Sequence, residues 1–241
     1  MKNKRNNPSI SLIIPVLNEA ESINCVLEHL FSLRYGGILE IIVVDGADDH
    51  GTLNAIKYPG VRKLASTNGR ARQMNRGASE AKGEVLLFLH SDTELPEDGL
   101  ELIADTVFGG YRCGAFELGI ASKRHIYRVI ETIVRIRTRL TMIPYGDQAI
   151  FVTKSFFDSF GGYTEIPLME DVDIMRKVRR NGEKICVIER QVKTSARRWE
   201  KEGVLYCILR NWVLLTLYLI GVSPERLVKY YSPHRPLSRA Q

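Results

Sequence analysis

Residues 84–96 read Glu-Val-Leu-Leu-Phe-Leu-His-Ser-Asp-Thr-Glu-Leu-Pro, an apolar run that ends abruptly in a polar turn. The five apolar residues 85–89 do not alternate with polar ones, which predicts a parallel strand that is covered on both faces. Ligands of such sheets bind beyond the carboxyl ends of the strands, where His90, Ser91 and Asp92 emerge. The stretch therefore predicts an α/β fold with a functional carboxylate at Asp92. A strand that ends in a capped turn without function is the alternative.

The chain before this stretch predicts a β-α-β unit. Residues 10–16 and 39–44 are buried strands by the same criterion, and the second strand ends at Asp45-Gly46. Asn18 and Glu21 have the spacing of a capping box and predict the start of a helix. The apolar stripe of that helix consists of Ile23, Val26, Leu27, Leu30 and Phe31.

Residues 67–77 predict a loop that enters a helix, after a short strand near 61–65. Arg70, Gln73 and Gly77 share one helix face by their i, i+3, i+7 spacing, so a guanidinium and an amide lie near the helix N-terminus. Free N–H groups and the helix dipole favour an anion there, such as a phosphate. A solvated basic face is the alternative.

Charge is distributed unevenly along the 241 residues. Residues 190–241 contain 10 Lys and Arg against 3 acidic residues, whereas residues 1–189 contain 24 against 25, so the net charge of +6 lies in the tail. This asymmetry predicts an anionic partner for the tail, such as a phosphate or a membrane surface. The length suits one α/β domain with an appendage.

The four cysteines are widely spaced and form no Cys-x-x-Cys or Cys/His cluster. This spacing indicates neither a zinc site nor a redox motif and predicts reduced thiols in a cytoplasmic protein. Residues 1–7 are polar and contain no apolar core of a signal peptide.

The second half of the chain predicts a strand over 112–121 and a helix over 124–140. The helix has apolar residues at Ile126, Ile130, Ile133, Val134 and Ile136, and basic residues at Arg128, Arg135, Arg137 and Arg139. Such a basic amphipathic helix lies on a membrane or lines an acceptor groove. A core-facing helix with a solvated side is the more common alternative.

Six motifs, in this order, resemble those of family 2 glycosyltransferases over roughly residues 9–200. They are Ile14-Pro15-Val16-Leu17-Asn18-Glu19, Val43-Val44-Asp45-Gly46, Gly69-Arg70-Ala71-Arg72-Gln73-Met74-Asn75-Arg76-Gly77, Leu89-His90-Ser91-Asp92-Thr93, Gly146-Asp147-Gln148 and Met169-Glu170-Asp171-Val172-Asp173. A lone Val-Val-Asp-Gly is a weak signal, whereas six motifs in register are a strong one.

The resemblance implies a GT-A fold, with a mostly parallel central sheet flanked by helices. It implies a nucleotide-binding half over about 9–110, an acceptor half over about 111–200, and an inverting transfer from a nucleoside-diphosphate sugar, with UDP as the expected nucleotide. The residues implied to bind that donor are Pro15, Asn18, Glu19, Asp45, Gly46, Arg70, Gln73, Ser91, Asp92 and Gln148. The acceptor is a carbohydrate, a lipid or a small molecule.

By the same resemblance, Asp92 holds a divalent cation, Mn²⁺ or Mg²⁺, against the diphosphate. A diphosphate leaving group gathers negative charge, which a hard cation on carboxylate oxygens neutralises. The family's usual Asp-x-Asp is His90-Ser91-Asp92 in this chain, so an imidazole replaces the first carboxylate. His90 is a ligand that favours a softer metal, or a structural histidine.

Residues 169–173 predict a helix start with three acidic residues, which complement the helix dipole whatever their function. An attacking acceptor hydroxyl must lose its proton to a base, and the resemblance assigns this role to Asp171, with Glu170 as its supporting neighbour. It also places Arg198 and Trp199 near the diphosphate or the acceptor. The usual Gln-x-x-Arg-Trp motif is incomplete here.

The segment 201–241 predicts a basic, apolar helical appendage. Its apolar part, residues 204–222, approaches the length of a membrane span but contains Arg210 and Asn211. An Arg at a bilayer centre costs roughly 2.5–3.5 kcal/mol on the insertion scale. A helix on the inner membrane surface, or on a partner, is therefore favoured over a span, with Lys201, Arg226 and Lys229 meeting lipid phosphates. Packing on the chain's own domain is the equally open alternative.

Other classes of function are less consistent with the sequence. A nucleotidyltransferase would need a Gly-rich phosphate loop with a Lys after the first strand, and residues 18–21 contain neither. Nucleic-acid binding is disfavoured because the basic tail lacks a stacking platform. A non-catalytic protein that binds a nucleotide sugar or glycolipid at a membrane stays open, because the first metal-binding carboxylate is missing.

Overall fold

The computed structural model describes residues 6–231, and eight strands in this range form one sheet. The strands are β1 (Ile10–Val16), β2 (Leu39–Asp45), β3 (Arg62–Ala65), β4 (Val85–Phe88), β5 (Thr93–Glu94), β6 (Cys113–Ala121), β7 (Phe151–Thr153) and β8 (Ile185–Ser195). Their order across the sheet is β3-β2-β1-β4-β7-β6-β8-β5. The pairings β1–β2, β2–β3, β1–β4 and β6–β8 are parallel, and those of β7 and β5 are antiparallel. The predicted α/β class is confirmed.

Helices cover both faces of this sheet. They are α1 (Ile23–Ser32), α2 (Gly51–Ala55), α3 (Arg70–Glu80), α4 (Gly99–Phe108), α5 (His125–Thr141), α6 (Lys154–Ser159), α7 (Glu170–Arg180), α8 (Arg197–Glu202), α9 (Val204–Leu219) and α10 (Pro224–Leu227), with 3₁₀ turns at Gly146–Gln148 and Val228–Tyr230. On one face α1 and α4 pack on the strands, and on the other face α3, α6 and α7 do so. A Cβ at Gly77 would lie 2.5 Å from a methyl of Ile13, so this glycine allows α3 to approach the sheet.

The first helix begins later than predicted. Asn18 has a φ of 57° and is not an N-cap, whereas Ser22 takes that position and α1 begins at Ile23. The amides of Ser22 and Ile23 both donate to the carbonyl of Glu19, so the first turn forms around that oxygen. The capping-box prediction was wrong because the chain turns over the end of β1 before the helix starts.

Helix α5 has its predicted bounds within one residue, but only part of its apolar stripe faces the core. Ile126, Ile133 and Ile136 are exposed, and the buried face presents Tyr127, Ile130, Glu131 and Thr138 instead. The Glu131 carboxylate accepts the Ile120 amide at 2.7 Å and pairs with Arg128, so polar contacts anchor the helix to β6. The predicted stripe is therefore divided: Ile130 and Val134 pack on β6, whereas Ile126, Ile133 and Ile136 are exposed.

A long strand and a long helix follow α7. Strand β8 continues to Ser195, because it pairs with both β6 and β5. Helix α9 has 16 residues, and Arg210 on it is buried and pairs with Glu202. Within residues 6–231, no helix is long and apolar enough to cross a membrane.

Candidate active site

Asp45, at the carboxyl end of β2, provides a buried and partly unsatisfied carboxylate. Its Oδ1 accepts the amide of Ala47 at 3.0 Å, while its Oδ2 is buried without a hydrogen-bond partner among residues 6–231. Buried polar atoms are normally paired, so this unpaired oxygen at the carboxyl end of β2 is a candidate acceptor for a ligand donor. Gly46 follows, and its amide donates to the carbonyl of Val16.

Gln73 holds the ends of β1 and β2 together. Its Nε2 donates to the carbonyls of Val16, at 2.7 Å, and Val44, at 2.8 Å. A Cβ at Gly46 would lie 2.9 Å from the Gln73 side chain, which explains the glycine there. The predicted partnership of Gln73 with Arg70 does not occur, because Gln73 is buried under the strand ends and Arg70 is directed elsewhere.

The loop after β1 places Pro15, Asn18 and Glu19 at the same edge. Pro15 is half-buried in the strand, and Asn18 is exposed in a left-handed conformation. The Glu19 amide donates to Thr52 Oγ1 at 3.0 Å, and its carboxylate accepts the Ser22 hydroxyl at 2.5 Å. The loop is therefore fixed by side-chain contacts, next to the end of β1 that pairs with Asp45.

Arg70 and Glu170 form an ion pair across the cleft. Arg70 Nη1 lies 3.0 Å from Glu170 Oε1; the Glu170 side chain is 5% exposed and that of Arg70 is 42% exposed. Burial raises the pKa of Glu170, and the attraction of Arg70 opposes that rise. The pair joins the N-termini of α3 and α7, where each helix leaves backbone N–H groups free.

Asp171 is held in place by backbone amides on both oxygens. Its Oδ2 accepts the Gly146 amide at 2.9 Å, and its Oδ1 accepts the Val172 amide at 2.8 Å. A carboxylate has about four lone-pair sites, so free acceptor capacity remains on a fixed, half-buried side chain.

Asp147 is a residue to which the sequence analysis assigned no role. Its pKa is raised to about 6, chiefly by burial and also by the negative charges of Asp171 and Asp92, and the positive charges of Arg137 and Arg198 limit the rise. The three aspartates are therefore close enough to repel one another. Asp147 lies in the Gly146-Asp147-Gln148 motif, which contributes to the family resemblance, but no feature of the local sequence indicates a separate role for it.

Asp92 and His90 emerge from β4 on the facing side. The Asp92 carbonyl accepts the Ser195 amide at 3.0 Å, which ties this turn to the end of β8. Ser91 between them is half-buried. Burial lowers the pKa of His90 well below its usual range, as do the positive charges of Arg70 and Arg198, so the ring is neutral. Its Nε2 is buried and has no partner in the described part of the chain.

A hard divalent cation fits Asp92 with a donor diphosphate better than it fits protein ligands alone. In residues 6–231 no group of three or more His, Cys, Asp or Glu side chains is placed to hold a metal ion. Mg²⁺ is commonly held by one or two carboxylates together with substrate phosphates, and Asp92 supplies such a carboxylate.

Gln148 lies beneath the site. It is buried; its Nε2 donates to the Phe116 carbonyl at 2.8 Å and its Oε1 accepts the Tyr145 amide at 3.1 Å. These bonds fix the 3₁₀ turn that carries Gly146 and Asp147. The buried amide therefore orients the turn.

Arg198 and Trp199 begin α8, directly after β8. The Arg198 guanidinium contacts the hydroxyl of Tyr231 and lies 4.7 Å from the centre of its ring. Through this contact the end of the described chain packs on a residue predicted for the site. Tyr231 was not predicted as a site residue, because nothing in its local sequence indicates that it contacts Arg198.

Solved structures with the same fold are glycosyltransferases, and they define this fold as GT-A. TarS from S. aureus, residues 1–349, has a TM-score of 0.62 at 17% identity, over 91% of this chain and 68% of that one. The mannosyltransferase PcManGT from Pyrobaculum calidifontis, solved with GDP-Man and Mn²⁺, has a TM-score of 0.59 at 18% identity, over 78% and 57%. TarS was also solved with UDP-GlcNAc. At these identities the likeness concerns the fold.

The chain belongs to glycosyl transferase family 2, whose family model matches residues 11–161. Among curated proteins, the glycosyltransferase GlyG from Streptococcus pneumoniae serotype 4 is 30% identical over 116 residues, 42% of this chain and 38% of GlyG. AglE from Haloferax volcanii is 31% identical over 110 residues, 42% of this chain and 36% of AglE. The chain therefore matches well under half the length of these relatives.

Proposed function

We propose that the chain transfers a sugar from a nucleoside-diphosphate sugar, with UDP as the nucleotide, to an acceptor hydroxyl with inversion at the anomeric carbon. The observation that carries the proposal is the fixed Asp171 carboxylate, held by two backbone amides beside Asp147. As the hydroxyl attacks the anomeric carbon, its proton passes to Asp171, and the bond to the diphosphate breaks on the opposite side. One displacement of this kind inverts the configuration.

The donor occupies the edge formed by β1, β2 and β4 in this proposal. The unpaired Asp45 Oδ2 accepts a hydrogen bond from the base or the ribose, and the loop with Asn18 and Glu19 closes over it. Arg70 is attracted to the diphosphate as well as to Glu170. The nucleotide-binding half is then about 9–110 and the acceptor half about 111–200.

Asp92 is the residue that would hold Mn²⁺ or Mg²⁺. A bound divalent cation supplies charge neutralisation of the departing diphosphate. Asp92 would hold that cation through its carboxylate, and the hydrogen bond from the Ser195 amide to its carbonyl fixes the backbone from which the carboxylate extends. The buried, neutral His90 packs beside Gly146, where a Cβ would lie 2.7 Å from its Nε2, and so shapes the wall of the site.

Peripheral contact with a membrane is part of the proposal. Helix α9 exposes Leu205, Leu209 and Val213, and Lys201 and Lys229 are exposed near its two ends in sequence. Apolar surface with flanking basic residues is the combination that binds anionic bilayers. The segment 201–231 is then more than an appendage, since Leu214 and Leu227 also pack on Leu168 just before α7.

The test is Asp171→Asn, which keeps the shape and one amide acceptor but removes the base. We expect donor turnover to fall by about 100- to 10,000-fold, the usual contribution of a general base, while UDP binding by calorimetry stays within about twofold. The anomeric configuration of the product, read from NMR coupling constants, tests inversion.

Full turnover by Asp171→Asn would refute the role of Asp171. A wild-type chain that binds UDP-sugars but transfers and hydrolyses none would favour the non-catalytic binding protein instead. Asp173→Asn is the matched control, because Asp173 stands on the same helix and its carboxylate contacts Thr164 and Tyr218 instead of Gly146.

A further inference from the structure

A groove runs between α5 and α9, next to the proposed base. It contains about 600 Å³ of free space, including its open mouth. Much of this space is open to solvent, so a ligand here would lie along an open groove and not in a closed cavity. Half of its lining residues are aliphatic, namely Leu118, Ile130, Ile133, Val134, Ile208 and Leu215.

The groove adjoins the proposed catalytic carboxylate. Tyr145 and Asp147 belong to its lining, and both flank Gly146, whose amide holds Asp171 at 2.9 Å. Arg137 also lines the groove and stacks over the Tyr145 ring at 3.6 Å. An amphiphile in this groove would therefore have its apolar part between the helices and a polar end near Asp171.

The helices that form the groove expose apolar side chains to solvent. On α5 they include Ile126, Val129 and Ile133, and on α9 they include Leu205, Leu209, Trp212 and Val213. Contiguous apolar surface of this kind marks an interaction site for a protein, a membrane or an apolar ligand. Continuity with the carboxylates favours the ligand over a partner protein, because a second chain here would cover the approach to Asp171.

We infer that the acceptor is an amphiphile whose hydroxyl is attached to a hydrocarbon chain, and that this chain lies in the groove between α5 and α9. The inference rests on the proposed function, because it names the class of molecule whose hydroxyl reaches Asp171. It assigns Ile133 and Ile208 a role in binding that chain, whereas the carboxylates act on the polar end. The new glycosidic bond forms between the donor sugar and this hydroxyl; Asp171 takes the proton and the nucleoside diphosphate leaves.

The two tryptophans make the inference measurable. The chain has only Trp199 and Trp212, and both line the groove. Tryptophan fluorescence of the full chain therefore reports on groove occupancy. The probe is 11-bromo-1-undecanol, a hydroxyl on a hydrocarbon chain whose bromine quenches indole emission at short range, used below its aggregation limit.

We expect saturable quenching in the wild type, and binding of shorter bromoalkanols that weakens by up to about fourfold for each methylene removed. Ile133→Glu places a charge in the apolar lining and should weaken binding roughly tenfold or more. Ile136→Glu is the matched control, since Ile136 is exposed on the same helix outside the lining, and its binding should stay within about twofold of wild type. Circular dichroism checks that both variants fold.

Absent or unsaturable quenching in the wild type would overturn the inference, as would equal loss in both variants. A dimer by light scattering, with no quenching, would mean that a second copy covers the groove and would overturn it too. UDP binding with Mn²⁺, measured by calorimetry on the same samples, separates the two claims. UDP binding without quenching refutes only the acceptor class, whereas quenching without binding of UDP or any other nucleoside diphosphate refutes the donor site.

Discussion

Replacing Arg70 should destabilise the fold, because the buried Glu170 carboxylate then has no ion-pair partner. In Arg70→Met the Glu170 side chain, 5% exposed, loses the guanidinium 3.0 Å away. A hydrogen bond to a charged group contributes about 1.5–3 kcal/mol, and because Arg70 is 42% exposed we discount this for solvent screening to about 1–2 kcal/mol. For a chain of this length the melting temperature should fall by about 2–8 °C.

The loss of stability in Arg70→Met should depend on pH in a defined direction. Burial already raises the pKa of Glu170 above its unfolded value, and the loss of Arg70 raises it further. An acid with a raised folded-state pKa destabilises the fold as pH rises from the unfolded pKa through the folded one. The difference between Arg70→Met and wild type should therefore grow on going from acidic to neutral pH.

Urea unfolding followed by circular dichroism, at pH 4 to 8, measures the stability difference between Arg70→Met and wild type. The double variant Arg70→Met/Glu170→Gln has no charge left to bury and should recover most of the loss. Arg72→Met is the matched control, because Arg72 pairs with Glu165 at 3.2 Å on the surface and an exposed pair contributes about 0–1 kcal/mol. The reasoning would be refuted if Arg70→Met lost no more stability than Arg72→Met. It would also be refuted if the stability losses of Arg70→Met and Glu170→Gln simply added in the double variant.

Two further predictions concern Asp147 and the membrane. Since burial raises the pKa of Asp147 to about 6, stability should fall as pH rises from about 4 to about 6, and Asp147→Asn should flatten that fall in thermal unfolding measured at each pH; an unchanged profile would contradict it. The full chain should sediment with vesicles that contain anionic lipid, and Lys229→Gln should weaken this binding about fivefold, because a basic residue near the surface contributes about 1 kcal/mol. Equal binding to purely zwitterionic vesicles would contradict the electrostatic part.

Local features of the sequence predicted several strands and helix starts around the site well. The apolar runs that end at Asp45 and before Asp92 lie in β2 and β4, and the helices that begin at Arg70 and Glu170 start where the motifs placed them. These elements are specified by short-range patterns of burial and by residues at helix N-termini. The order of the motifs then brings their ends to one edge of the sheet.

Contacts between distant parts of the chain were not predictable. Gln148 donates to the carbonyl of Phe116, which is distant from it in sequence. Arg198 contacts Tyr231, which is likewise distant from Arg198 in sequence. The isoleucine stripe of α5 has a helical period, but Glu131 and Thr138 occupy the inward face through hydrogen bonds that periodicity does not report. A hydrophobic pattern identifies the face of a helix that is apolar, and only the fold determines what covers it.

Strand β8 determines when the site can assemble during synthesis. It pairs with β5, so that the Thr93 and Thr194 hydroxyls meet across a sequence separation of 101 residues, and its end holds the Asp92 carbonyl. Pairings of such long range form late in folding, because a large loop must close first. A nascent chain that has not yet emerged beyond β8 has its nucleotide-side strands but no tether for Asp92. Prematurely terminated products should therefore accumulate as partly folded, inactive species, to be removed by proteolysis.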